Sequence, residues 1–293
     1  MRIAHATDIH WFLPPPLARL FGKRLIGAAN LYLAGRRHHF SEAVQDALVA
    51  ALIEARPDAV VITGDLTATA LEGEFNLARA RLDPILSTTP TLVQCGNHDV
   101  YTTGARRAGR LPERFAPWMH GGDRGIARFD VGALTVIGLD PNRPHLLASG
   151  ELPSAQLDAL DAALRGVADD RRLLLALHYP VVDRRGAPYD GLEHGLRNAR
   201  ALLDVLRACP RKPEAILHGH VHHGYRSEVD LGGVTVPTLN PGSGGYAWLP
   251  ESNRAAAFSV YTLEPGAPIQ VDRLRYDGAR FSPEPGGAYA TGR

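Results

Sequence analysis

Residues 91–99 read TLVQCGNHD. A short apolar run stops at Gly96 and gives way to three side chains with oxygen or nitrogen donors, Asn97, His98 and Asp99. The same pattern recurs along the chain. RIAHAT (2–7) runs into Asp8 and His10, and DAVVIT (58–63) runs into Gly64 and Asp65. RLLLAL (172–177) runs into His178, and EAILHG (214–219) runs into His220 and His222. Runs of this length, rich in Val, Ile and Leu and ending at turn residues, read as buried strands.

Helical patterns lie between these strands. Ser41 is placed to cap SEAVQDALVAALIEA (41–55), whose apolar positions 44, 48, 49, 52 and 53 fall at helical spacing. Gln156–Leu164 and Leu196–Leu206 read the same way. Alternation of strand and helix predicts an α/β architecture. GIARFDV (125–131) and ALTVIGLD (133–140) predict a hairpin. Beyond His223 the chain reads as strands with Gly and Pro turns. One domain over residues 1–280 is expected, followed by a loosely ordered Gly- and Pro-rich tail at 281–293.

Composition narrows the function. The 293 residues allow a sizeable core, and 32 basic against 31 acidic side chains leave no charge excess that would draw the chain to nucleic acid. Two cysteines, Cys95 and Cys209, make no disulfide framework and fit a reducing, cytoplasmic setting. No long uncharged apolar stretch predicts a spanning helix, and MRIAHATDIH lacks an apolar signal core.

One segment stands apart. Residues 11–40 contain no Asp or Glu, yet carry Arg19, Lys23, Arg24, Arg36 and Arg37 among aromatic and aliphatic residues. Three readings stand: a lid over the site, a helix packed on the core, or an amphipathic element touching a membrane surface peripherally. The lid and membrane readings together would suit a lipid-linked substrate.

In open α/β sheets, ligands bind beyond the carboxyl ends of the strands. Here those ends carry Asp8, His10, Asp65, Asn97, His98, Asp99, His178, His220 and His222. All are oxygen or imidazole donors without a thiolate, a set that suits Mn, Fe or Zn rather than a structural thiolate site. They are too many for one ion. Two divalent ions about 3.5–4 Å apart, sharing a carboxylate, would use them and would suit displacement at phosphorus.

The ordered set D-x-H (Asp8, His10), G-D (Gly64, Asp65), G-N-H-D (Gly96 to Asp99), a lone His after a strand (His178) and G-H-x-H (Gly219 to His222) resembles the calcineurin-like metallophosphoesterase superfamily. Each motif alone is weak, whereas all five in order are specific. The resemblance implies an αββα fold, in which helices flank a two-sheet β-sandwich. It implies that Asp8, His10 and His222 hold one metal, Asn97, His178 and His220 the other, and that Asp65 bridges them. His98 would serve the leaving group as general acid or charge stabiliser, and Asp99 would orient it. Asn97 and His98 would also touch substrate. The nucleophile would be water activated by the metals, not a serine or cysteine.

HYPV (178–181) looks like the purple acid phosphatase branch, but Ala68 stands where that branch has a metal-bound tyrosine. His10 and LNPGSGG (239–245) look like the bacterial branch that holds class III cyclic nucleotide phosphodiesterases and glycerophosphodiesterases. A phosphodiesterase is therefore expected. The alternatives are a pyrophosphohydrolase of a lipid-linked substrate such as UDP-2,3-diacylglucosamine, and a non-catalytic scaffold on the same fold. His194 either reaches the substrate phosphate from its loop or merely precedes a helix. His218 and His223 read as structural or as supports for a neighbouring ligand, and Cys95 as a small buried hydrophobe.

Overall fold

The computed structural model describes residues 1–14, 39–143, 148–191 and 194–290. Strands β1 (Arg2–Ala6), β2 (Ala59–Ile62) and β3 (Thr91–Val93) are parallel neighbours. On the other side of β1, β10 (Ala257–Thr262), β11 (Gln270–Tyr276) and β12 (Phe281–Pro283) complete a six-stranded sheet by antiparallel pairing. The second six-stranded sheet has the order β4 (Ala127–Val131), β5 (Leu134–Gly138), β6 (Arg172–Ala176), β7 (Ala215–Leu217), β9 (Thr235–Asn240), β8 (Tyr225–Asp230). The expected hairpin is the β4–β5 pair, with Val131 opposite Leu134.

Strand alternation divides the core into layers. Along β1 and β2, Ile3, Ala59 and Val61 face the other sheet, while Ala4, Val60 and Ile62 face outward. Along β6, Leu174 and Ala176 face inward while Leu173 and Leu175 face outward. The inner layer, with Leu92, Val136, Leu217 and Tyr261, fastens the two sheets together. Helices α1 (Glu42–Glu54), α2 (Glu72–Leu86) and α4 (Arg110–Met119) cover the first sheet through Leu48, Phe75 and Phe115. Helices α5 (Ser154–Arg165) and α6 (Ala199–Ala208) cover the second through Leu160 and Leu203. A short α3 (Thr103–Arg107) precedes α4. This is the expected four-layer αββα arrangement.

Three local readings differ. Ser41 precedes α1, but its side chain makes no capping bond. The third predicted helix begins at Ala199 rather than Leu196, because tertiary contacts claim the first turn. Asn198 exchanges two hydrogen bonds with the Leu152 backbone, and Leu196 bridges to Gly150. The tail reading is also corrected. Phe281–Pro283 pairs with β11, and Glu284 makes a buried 2.7 Å ion pair with Arg273. A strand edge and a buried charge thus order residues 281–284 at the start of that segment. The readings of segment 11–40 fall largely on residues 15–38, outside the described residues. Among the described residues, no helix is long and apolar enough to cross a membrane.

Candidate metal centre

Each strand that carries a motif ends at the same rim of the sandwich. The backbone there is unusual: Asp8 (φ 52°), His10 (φ 57°), Asp65 (φ 55°), His220 (φ 72°) and His222 (φ 45°) all adopt left-handed conformations. L-residues rarely do so, at a cost on the order of 1 kcal/mol or more each, so the surrounding bonds must impose the geometry. Those bonds are present. Asp8 N–H donates to Gly64 O at 3.0 Å, and His10 N–H donates to Asp65 O at 3.0 Å. Gln45 of α1 donates to the carbonyls of Ile9 and His10. The NPGSGG loop clasps the two sheets: Ser243 Oγ donates to Asp8 O, and Ser243 N–H donates to His222 O. Two glycines permit the approach. A Cβ at Gly96 would strike Asp65, and one at Gly219 would strike Thr7.

The donor atoms fall into two groups that share Asp65. Asp8, His10, Asp65 and His222 offer one atom each within 4.8 Å of one another, and so do Asp65, His178 and His220. Asp65 Oδ2 lies 3.6 Å from His10 Nε2 and 3.4 Å from His178 Nε2, between the groups. Asn97 Oδ1 is 3.0 Å from His178 Nε2, which places it with the second group.

The ring partners fix the tautomers. His178 Nδ1 faces Thr63 O at 2.7 Å, and His220 Nε2 faces Ala148 O at 3.1 Å. A carbonyl only accepts, so these nitrogens carry the protons. The remaining ring nitrogens, His178 Nε2 and His220 Nδ1, face each other at 3.3 Å. In the first group His10 Nε2 and His222 Nε2 face each other at 3.0 Å, while His222 Nδ1 meets the Tyr246 hydroxyl at 3.1 Å. Asp8 Oδ1 and Asp65 Oδ2 are buried without hydrogen-bond partners. Buried carboxylate oxygens left without hydrogen-bond partners, with imidazole nitrogens converging on them, fit cations between them.

The electrostatics agree. Burial alone would raise the Asp65 carboxyl, but His178, His98 and His10 together hold it well below the usual carboxylate range. Burial would lower His178, yet the Asp65 carboxylate draws a proton onto it, up to about 9. A cation at this position would have to displace that proton.

Residues 1–224 match the family model for calcineurin-like phosphoesterase. The chain belongs to the calcineurin-like phosphoesterase family. It is accordingly a metal-dependent phosphoester hydrolase, and its two donor groups suit the pair of divalent metal ions that this family uses. A probable cyclic nucleotide phosphodiesterase of Rhodococcus erythropolis is 32% identical over 225 residues, 75% of this chain and 68% of that protein. Among solved structures, the purple acid phosphatase of yellow lupin (Lupinus luteus) seeds superposes with a TM-score of 0.61 at 13% identity. That match covers 96% of this chain and 52% of the lupin chain, so this chain spans about half the lupin enzyme's length.

The remaining family positions are placed as follows. The His98 backbone N–H donates to Asp65 Oδ1 at 2.8 Å, and its ring Nδ1 donates to Ala68 O at 2.6 Å. The ring stands edge-on to His10 at 4.7 Å between centroids. Burial lowers its pKa to about 4, so it is neutral at pH 7. The resemblance assigns Asp99 to orient His98, and here the structure corrects it. Both Asp99 oxygens are occupied by the N–H groups of Gly96, Leu66 and Thr67 and by the Thr67 hydroxyl. Asp99 therefore shapes the 65–68 turn, and the Ala68 carbonyl of that turn holds His98.

His194 is exposed, with its ring 5.6 Å from that of His220, at the rim rather than in either donor group. His218 is fully buried against Tyr225, and His223 is exposed beside Tyr246. Neither belongs to a donor group. Four supporting residues were not legible in the sequence. Tyr246 and Phe40 form an aromatic wall around His222 and His10, and the Thr63 and Ala148 carbonyls set two tautomers. Tyr246 follows the quoted NPGSGG directly, which was the available signal. A carbonyl's role has no side-chain signal at all.

Proposed function

We propose that the chain hydrolyses a phosphodiester. Two buried donor groups sharing one carboxylate carry this reading, and the Rhodococcus relative's name supports diester over monoester chemistry. Asp8, His10, Asp65 and His222 would hold one ion, and Asp65, Asn97, His178 and His220 the other, each ion being Mn, Fe or Zn. Bound there, the pair would supply an acidified water as nucleophile and neutralise charge on the phosphoryl oxygens.

The chain's own residues do the rest. The Thr63 and Ala148 carbonyls accept from the far nitrogens of His178 and His220, so the opposite nitrogen of each ring is the one that would meet an ion. Ala68 fixes the His98 ring through Nδ1, leaving Nε2 for the substrate. His98 is neutral at rest, and the negative charge of an arriving phosphate favours its protonation. It would then donate a proton to the leaving oxygen, an effect of about 10²–10⁴ in rate. Both cysteines are free and buried, consistent with a reducing, cytoplasmic setting.

Activity with added Mn²⁺ on bis(p-nitrophenyl) phosphate, p-nitrophenyl phosphate, cyclic AMP and UDP-2,3-diacylglucosamine tests the reading. Faster hydrolysis of the first and third is expected. Turnover of the monoester alone would overturn the diester assignment. Turnover of the nucleotide lipid alone would replace it with the pyrophosphate reading. A protein that stays metal-free in millimolar Mn²⁺ would overturn the assignment of these residues to two ions.

A further inference from the structure

A cavity of about 300 Å³ borders the metal centre. Its lining includes His222 and Tyr246, so it shares a partition with the first donor group. Four guanidiniums line it, from Arg184, Arg254, Arg273 and Arg275, and His223 adds an imidazole. No lining residue is acidic.

The gathering follows from the fold. Arg273 and Arg275 sit two residues apart on β11, so alternation sends both to one face. Arg254 closes the turn after residues 250–252 and lies over the Tyr246 ring at 5.3 Å. Arg184 comes from the turn closed by Asp183 and Ala187, and lies over the Tyr225 ring at 5.8 Å. His223 arrives directly after the metal-group residue His222. The buried Glu284 offsets Arg273 at 2.7 Å. Arg275 instead donates to the carbonyl and side-chain oxygens of Asn253, and burial followed by the Arg273 charge lowers its pKa.

Cations gathered in a partly enclosed space repel one another, and the arrangement becomes favourable when an anion joins them. Guanidiniums present forked N–H donors that match the oxygens of a phosphate group. We propose that this pocket is a phosphate-binding subsite, separate from the catalytic centre. Its occupant is a phosphate group, either a distal one on the substrate or free inorganic phosphate. Only the first source rests on the phosphodiesterase reading.

Calorimetric titration of the metal-loaded protein with inorganic phosphate tests the subsite. Two binding events are expected, one at the metals and one at the pocket. Arg254→Gln/Arg275→Gln should lose the second event or weaken it about tenfold or more. Arg273 is left intact because its pairing with Glu284 is buried. If the double variant does not fold, Arg184→Glu at an exposed position provides the same readout. A single event in the wild type, or unchanged binding in the folded variants, would overturn the proposal.

Two further arms separate the sources. A dinucleotide bearing a 5′-phosphate is compared with its unphosphorylated form. A lower KM for the phosphorylated form in the wild type, lost in the variant, identifies a substrate phosphate. Equal KM values, with free phosphate altering bis(p-nitrophenyl) phosphate turnover in the wild type beyond the inhibition seen in the variant, identify the free ion. Loss of all diester activity in the wild type would remove the diester reading while leaving the titration result intact.

Discussion

His220 and His222 are separated by one residue, yet they serve opposite ends of one cluster. His220 Nδ1 lies 3.3 Å from His178 Nε2, whereas His222 Nε2 lies 3.0 Å from His10 Nε2. Both residues have left-handed backbones, and Asp65 stands between the two groups they join.

That sharing makes Asp65 the side chain whose loss is most general. Asp65→Ala is expected to release both ions and to lower activity by about 10³-fold or more, the equivalent of several kcal/mol of charge stabilisation. Metal analysis of the purified variant checks this. Retention of the full metal content would refute the bridging role.

His98 sits beside the donor groups without belonging to either. His98→Ala should therefore keep the metals and lose about 10²–10⁴ in turnover. The loss should be larger for alkyl than for nitrophenyl leaving groups, because a good leaving group needs no proton. Equal losses on both ester types would exclude leaving-group protonation.

Tyr246→Phe removes the hydroxyl that meets His222 Nδ1 at 3.1 Å. The fold should persist. Affinity for one of the two ions should fall by about 10–100-fold, the usual effect of removing a ligand's outer partner. Metal competition with a chelator reads this directly, and an equal loss of both ions would argue against it.

Glu74 provides a pH signature away from the metals. Its carboxylate accepts the N–H groups of Leu13, Thr69 and Leu71, and burial nonetheless pushes its pKa up to about 7, from the ordinary 4.5. The folded state then holds a proton that the unfolded state releases. This stability is fully present below about pH 4.5 and is lost as pH rises towards about 7. Each unit of that window is worth at most about 1.4 kcal/mol. In thermal melts, the Tm of Glu74→Gln relative to wild type should climb between pH 5 and pH 7.5. A constant difference would show that Glu74 does not change charge in that range.

Much of this was legible in the sequence because strands ending in donors announce themselves. Asp8, His10, Asp65, Asn97, His178, His220 and His222 converge as the motif order implied, since parallel strands present their carboxyl ends at one rim. What could not be read depends on tertiary contact. The resemblance made Asp99 a partner for His98, but its oxygens accept from the N–H groups of Leu66, Thr67 and Gly96 and from the Thr67 hydroxyl. Helix α2 carries Phe75, Ala78, Leu82 and Ile85 at helical spacing, although Pro84 near its end obscures the pattern. The strand at 281–283 is too short and too close to Gly and Pro to be visible without β11 beside it.

The donor groups are also a seam. Asp8, His10, Asp65 and Asn97 extend from the sheet of β1, whereas His178, His220 and His222 extend from the sheet of β6. The spacing between donors is thus set by how the two sheets rest on each other. That depends on Ile3, Val61, Leu174 and Leu217, in the layer between the sheets. A methyl lost there could shift one sheet by a fraction of an ångström and detune the reaction with every site residue untouched. Ions bound across the seam would in turn hinder the sheets from sliding apart, so catalysis and the mechanical integrity of the sandwich share one set of bonds.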